Sequence, residues 1–408
     1  MEKAGNLIRL RAGSAWTRTR TAHPWFQLDD LESPGGPMKD AASTTLRSAA
    51  GEALGSGIFD RRDPAAAWRR FSWEEGVEFD ESYLLGGLRE ALDARSDEAC
   101  QRLIHGDADY LPGIRLDRFG EVLVLACENA AAEGHSAWLV ETLREWVGAR
   151  ETVLMDDLPS RRAFGLAGAR RTASGGGLKG FWCDLDGIHH RIDPLDSSRP
   201  VFPLDLREQH ALVGSLCAGR RVLEVEAECG GFALQAVRAG AAEVLALAAS
   251  ESACKSIRAG SQKNGLPLES QSGPAADFLA RTGAGSYDAL ILNPEALDRA
   301  AEIPALLAAA VRALAPGGLL ACYLRQPQVA AEVFEAAVCR ALAEAGEGGP
   351  ALRARRAALR FSNPTELSRE PGLESPRFAD RGMSLARSGG FNFALGRPSE
   401  ASSPRRTA

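Results

Sequence analysis

The chain has 408 residues, 45% of them hydrophobic, and a formal net charge of −6. That length implies two or three domains with real apolar cores. Charge interrupts every apolar run before the roughly 18 residues that read as a membrane span, so none is expected. The acidic balance gives no whole-molecule attraction to nucleic acid, and any RNA contact needs a local basic patch. The eight cysteines form no CxxC pair, which argues for a reducing compartment and against zinc clusters. The Arg/Thr-rich first 22 residues could mimic an organelle presequence, but no apolar signal core follows and Ile8 and Leu10 alternate like a strand. A cytoplasmic protein is expected.

In chain order, residues 1–65 are short and turn-rich, with Gly35-Gly36-Pro37 and then Gly51, Gly55 and Gly57 before Ile58-Phe59. Short strands without a convincing helix predict a small β-barrel. From Asp80 to Arg95, Tyr83, Leu84, Leu85, Leu88 and Leu92 recur at helical spacing. Ala99–Ile104, Ile114–Leu116 and Val122–Ala126 read as strands around turns at Pro112-Gly113 and Phe119-Gly120. Ala137–Val147 is an amphipathic helix and Thr152–Met155 another strand, which makes a mixed α+β middle domain. Ser174–Gly180 (SGGGLKG) reads as a flexible turn or hinge. In DGIHHRID, strand alternation sends His189 and His190 to opposite faces, and no metal site is expected.

After about Val201 the pattern becomes α/β. Strands Val222–Val225, Val244–Leu247, Ala289–Leu292 and Gly318–Tyr323 alternate with helical segments 231–239, 250–263, 302–314 and 328–345. Apolar strands separated by helices imply a parallel sheet covered on both faces, with ligands at the carboxyl ends of its strands. Arg353-Ala354-Arg355-Arg356 reads as a charged turn. The polar, Pro/Ser-rich tail 396–408 reads as disordered.

Several stretches then meet one family. HGDADYLPGIRLDRFGEVLVL (His105–Leu125), FPLDLREQH (Phe202–His210), VLEVEAECGGFALQAVRAGA (Val222–Ala241) and HPWF (His23–Phe26) resemble the bacterial S-adenosylmethionine (SAM)-dependent large-subunit rRNA cytosine-C5 methyltransferases. The likeness runs over roughly residues 8–395. It implies an α/β fold: a Rossmann-like SAM methyltransferase domain (196–395) preceded by a mixed α+β middle domain (71–195) and a small N-terminal PUA-like β-barrel (1–70). The implied partner is RNA, ribosomal RNA in that family, whose members are often homodimers.

The resemblance also implies site residues. Gly230 and Gly231 would let the backbone approach the methionine end of SAM, with the following helix, opened by Phe232, offering N–H groups to its carboxylate; the alternative is a plain tight turn. Glu224 would orient the methionine amine, or be an exposed strand-end charge. Arg207 would help close the pocket, or form a surface ion pair. Asn293 and Pro294 stand where the family has Asp-Pro-Pro, and Asn293 would accept a hydrogen bond from a base amine. Arg18, Arg20, His23 and Trp25 would form a basic-aromatic RNA face, or a solvated edge with one core tryptophan.

At four positions the chain departs from that pattern. Ala248 stands where an acid holds the ribose hydroxyls, with Glu251 three residues on; Pro274 where an Asp contacts adenine, with Asp277 a turn away; Glu295 in the catalytic loop; and Arg325 where the nucleophilic cysteine belongs. Cytosine C5 chemistry needs a thiolate. Cys322, three residues before Arg325, is the candidate; a small buried apolar side chain is the alternative reading. Two functions remain open: methyl transfer from SAM to an RNA base, with a base amine as the acceptor in the absence of a thiolate, or an inactive paralogue acting as an RNA-binding or ribosome-assembly module.

Overall fold

The structure is a computed structural model that describes residues 6–13, 24–32, 38–198, 201–293, 303–324, 337, 340–341, 353–357 and 391–396. The described residues divide into two compact units, one drawn from 1–180 and 193–197, the other from 181–192, 198–361 and 386–408.

The first unit opens with strands β1 (Leu7–Arg9), β2 (Trp25–Phe26), β3 (Ala42–Arg47), β4 (Ala53–Phe59) and β5 (Trp68–Ser72). Among the described residues they form one open sheet, β1-β3-β4-β5-β2, a half-barrel with an edge strand at each end. Helix α1 (Glu81–Asp93) follows; the Asp80 carboxylate accepts from the Tyr83 N–H at its start, and Leu84, Leu88 and Ala91 make its buried stripe. A second sheet contains β6 (Cys100–His105), β7 (Ile114–Phe119), β8 (Val122–Cys127), β9 (Glu151–Leu154) and β10 (Arg171–Thr172), in the order β10-β9-β8-β7-β6. Helices α2 (Ala130–Glu133) and α3 (Ser136–Val147) lie between β8 and β9 in sequence. Ile58 and Phe71 of the first sheet join the cluster of Leu84, Leu88, Leu116 and Leu125, so the segments on either side of residue 70 share a core.

The second unit starts with the antiparallel hairpin β11 (Phe181–Leu185) and β12 (Ile188–Ile192). Then come α4 (Arg207–Ser215), β13 (Arg221–Val225), α5 (Gly231–Arg238), β14 (Glu243–Ala248), α6 (Glu251–Asn264), β15 (Glu269–Ser272), α7 (Ala275–Arg281), β16 (Tyr287–Leu292), α8 (Ile303–Ala313), β17 (Leu314–Leu324), β18 (Arg353–Ala357) and β19 (Phe391–Gly396). The described sheet runs β15-β14-β13-β16-β17-β19-β18, parallel from β15 to β17 and antiparallel at β19. Strand alternation sends Leu223, Val225, Leu290 and Leu292 to one face against Leu279, Leu307 and Val311, and Val222, Ala289 and Ile291 to the other against Phe232, Ala236 and Ile257. Both faces are therefore covered, as the apolar strands imply.

Two expectations change here. The run Arg353–Arg356 is not a turn: it lies in strand β18, paired antiparallel to β19. The hairpin containing His189 and His190 belongs to the α/β unit and not to the middle segment. Most of the expected helix 328–345 and the tail beyond residue 396 lie outside the described residues.

Candidate cofactor site

The strand order reverses direction between β13 and β16, and the crevice beyond their carboxyl ends is where ligands of such sheets bind. Three strand ends meet there. The Ala227 N–H donates to Leu247 O at 2.9 Å, and the Asn293 N–H donates to Val225 O at 3.3 Å. Asn293 is buried, and its side-chain oxygen has no partner among the described residues. A buried acceptor left without a donor costs about 1–3 kcal/mol, so this position suits a donor brought by a ligand.

Gly230 sits at φ +67°, the left-handed region, and turns the chain into α5. Gly231 is needed for a different reason. A Cβ there would lie 2.4–2.8 Å from the His210 ring. His210 is itself buried, edge-on to Phe232 at 4.4 Å and to Phe202 at 5.4 Å. The close approach at Gly231 is thus made by the protein's own imidazole. Replacing Gly231 by Ala is expected to cost about 1–3 kcal/mol, the usual price of overpacking, read as a lowered midpoint in urea with unchanged slope.

Glu224 corrects the expectation for the helix N-terminus. It is buried at 2% exposure, and its carboxylate accepts from the Ala233 N–H at 2.8 Å and from the Phe232 N–H. Those N–H groups hold the protein's own side chain, so they are not left for a ligand carboxylate. Burial pushes the Glu224 carboxyl up to about 7 against the pull of the two N–H donors. Glu226, next along the turn, is also buried and adopts φ +60°, which a side chain rarely tolerates. Phe232 was expected to line the cofactor; it is 0% exposed and lies between His210 and Tyr323, whose ring is 4.8 Å away. It supports the turn from behind.

Arg207 reaches the hairpin. Its guanidinium grips Asp186 at the β11–β12 turn, Nε to Oδ2 at 2.7 Å, with a second bond from the terminal nitrogen. That grip holds the Asp186 carboxyl below its ordinary range. Arg238 donates to the Asp186 carbonyl from α5. On the hairpin's inner face His190 packs on Phe202 at 4.6 Å and hydrogen-bonds the Cys229 backbone in the glycine turn; burial pushes its imidazole down to about 4. The signal for this wall was in the sequence: Asp186-Gly187 flanked by alternating apolar residues is a two-residue hairpin.

The remaining candidates are scattered. Cys322 is buried in the sheet core, paired in register with Leu292. Burial raises its thiol far above neutrality, which corrects the idea that it serves as a nucleophile. Ala248 is fully buried at the end of β14. Glu251 is held by Arg258 and by Ser272, whose Oγ donates to Oε2 at 3.1 Å. Pro274 precedes the first turn of α7. Trp25, in the other unit, lies under the Arg69 guanidinium at 4.6 Å, while Arg69 pairs with Asp63 at 2.6 Å and with Asp107 at 2.9 Å. Arg18, Arg20, His23, Pro294, Glu295 and Arg325 lie outside the described residues. No group of three or more His, Cys, Asp or Glu that could hold a metal occurs among the described residues.

No protein-family model matches the chain. Curated proteins do. It is 30% identical over 253 residues to "Ribosomal RNA large subunit methyltransferase I" of Photobacterium profundum; that match spans 58% of this chain and 63% of the relative, slightly under two thirds of its length. The protein of the same name from Tolumonas auensis is 26% identical over 79% of this chain and 87% of its own. The "Ribosomal RNA large subunit methyltransferase" of Deinococcus radiodurans is 27% identical over 83% and 90%. By sequence the chain is similar to proteins named as large-subunit ribosomal RNA methyltransferases. Its fold agrees. A structure described as a SAM-dependent methyltransferase from Streptococcus mutans superposes with a TM-score of 0.71, at 15% identity, covering 96% of this chain and all of that one. A structure described as that of a methyltransferase in complex with SAH superposes equally well, at a TM-score of 0.71 and 15% identity over 96% and 99% of the two chains. The α/β unit has the Rossmann-like fold of SAM-dependent methyltransferases. Among the described residues no helix is long and apolar enough to cross a membrane.

Proposed function

We propose that this protein binds SAM at the carboxyl ends of β13, β14 and β16 and transfers its methyl group to an RNA base, in ribosomal RNA as the names of its relatives suggest. The observation that carries the reading is Asn293, a buried acceptor without a partner among the described residues, at the point where the strand order reverses. Pro294 would follow it in lining the site. The fit to the amino-acid end of SAM is partial: Gly230 shapes the turn, and the Glu226 and Glu228 carboxylates of that turn would favour an ammonium and a sulfonium but repel the SAM carboxylate, for which Glu224 leaves no helix N–H. The fit is poorer at the ribose, where Ala248 supplies no acceptor. A missing charge-assisted pair there costs about 1.5–3 kcal/mol, or roughly 10- to 150-fold in affinity. When bound, SAM supplies the electrophilic methyl group. Asn293 would orient a base amine toward it, since the buried Cys322 thiol cannot supply the thiolate that C5 chemistry requires.

The same facts support a second reading, an inactive paralogue that acts as an RNA-binding or ribosome-assembly module; Ala248 and Cys322 favour it. Calorimetric titration with SAM separates the two. The enzyme reading expects binding in the micromolar range, weakened but measurable, followed by mass shifts in incubated rRNA fragments. No heat up to millimolar SAM would leave the module reading standing.

The domain reading belongs here too: residues 1–70 as a PUA-like RNA-binding segment with Arg18, Arg20, His23 and Trp25 on its face, 71–195 as a middle domain apart from the hairpin 181–192, which groups with the α/β unit, 196–395 as the catalytic domain and 396–408 as a tail. A cytoplasmic location accords with the seven described cysteines, none of which is in a disulfide, and the family resemblance allows a homodimer.

A further inference from the structure

The hairpin's outer face serves no core. Cys183, Leu185, Ile188, His190 and Ile192 point inward and are buried, whereas Trp182 is 37% exposed. Arg191 stands directly opposite Trp182 in the register, so the two side chains share a face. The Lys263 ammonium, from the end of α6, lies 6.0 Å from the indole centroid. The acid on this face, Asp184, is engaged with the hairpin turn, accepting from the Gly187 N–H at 2.7 Å.

The mounting is rigid. The His189 N–H donates to Asn264 Oδ1 at 2.8 Å, and Asn264 Nδ2 donates back to His189 O at 2.8 Å. Arg207 and Arg238 hold the hairpin tip. A partly exposed indole with one cation near its ring and a second at the cross-strand position, on a molecule whose net charge is −6, is a local inversion of charge next to an aromatic surface. That combination suits a flat π-system attached to an anion. The inner face of the same hairpin touches the glycine turn through His190 and Cys229, so the platform is mounted on the wall of the candidate site.

We propose that Trp182, Arg191 and Lys263 form a stacking platform for an unpaired base of single-stranded RNA, with the two cations on its flanking phosphates. The proposal rests on the reading of RNA as the substrate and adds where a strand is gripped. Base–aromatic stacking of this kind is sequence-tolerant and salt-dependent.

The test uses the full chain and a labelled oligoadenylate of about a dozen nucleotides, within the site size common for such surfaces. Trp182→Ala is expected to weaken binding about 5- to 100-fold with an unchanged melting curve, while Trp182→Phe retains most of it. Arg191→Ala and Lys263→Ala should each lower the slope of log affinity against log salt by about one. Wild-type binding that Trp182→Ala leaves intact, or equal affinity for a duplex of the same length, overturns the platform while RNA remains the partner. An absence of binding by the wild type at low salt overturns the RNA reading as well.

Discussion

Phe232→Ala is expected to destabilise the α/β unit by about 3–5 kcal/mol, the range for deleting a fully buried phenyl ring. The ring is 0% exposed and wedged between His210 and Tyr323, so its removal leaves a cavity with no solvent route to fill it. The loss reaches the site by a short path. His210 is held against Gly231 partly by this ring, and the Phe232 N–H is one of the two donors on Glu224. The denaturation midpoint in urea should fall with little change in slope, and residual SAM affinity should fall with it. A loss below about 1 kcal/mol would mean that the ring is not packed in the core as described.

The second large effect is a pH dependence that the wild type conceals. Glu224 has a folded-state pKa raised from 4.5 to about 7, so its favourable contribution is complete below about pH 4.5 and is lost as pH rises toward 7. His190 is opposite: its folded-state pKa is lowered from 6.5 to about 4, so its contribution is complete above about pH 6.5 and is lost as pH falls toward 4. Each shift corresponds to roughly 3 kcal/mol at 1.36 kcal/mol per unit. The two windows overlap, and the slopes nearly cancel between about pH 4.5 and 6.5. Glu224→Gln keeps an acceptor for the helix N–H groups but removes the ionisation. Its stability should climb with pH across that window by about 1.4 kcal/mol per unit, where the wild type stays flat. It should also exceed the wild type at pH 8. Stability against pH by urea denaturation reads both; parallel curves for the two proteins would show that Glu224 is not buried as an acid.

Periodicity made most of the fold legible before any coordinates. The strands that alternate or run apolar through the sheet appear within a few residues of their expected ends, as do α1, α3 and α6, because local spacing alone decides which side chains face inward. What went unread were elements held by backbone pairing. Strand β15 (ESQS) carries no apolar residue and lies at the sheet edge, and β18 is an arginine-rich stretch that is a strand because β19 runs beside it. No window of sequence contains the partner that makes such a segment extended.

The site divides in the same way. That Gly230 turns the chain was readable from VEAECGGF, since a left-handed residue is a local demand that glycine meets. The substitutions at Ala248 and Pro274 were readable too, because they are facts about residue type. Where the polar groups spend their hydrogen bonds was not. Glu224 caps a helix nine residues downstream, Arg207 grips an aspartate 21 residues upstream, and His210 fills the space above Gly231. Cys322 sits too deep to ionise because the sheet is covered on both faces. Composition and spacing settle which chemistry is available along the backbone. Burial and the choice of partner emerge only when distant segments close over one another, since both depend on how much water is left around a group.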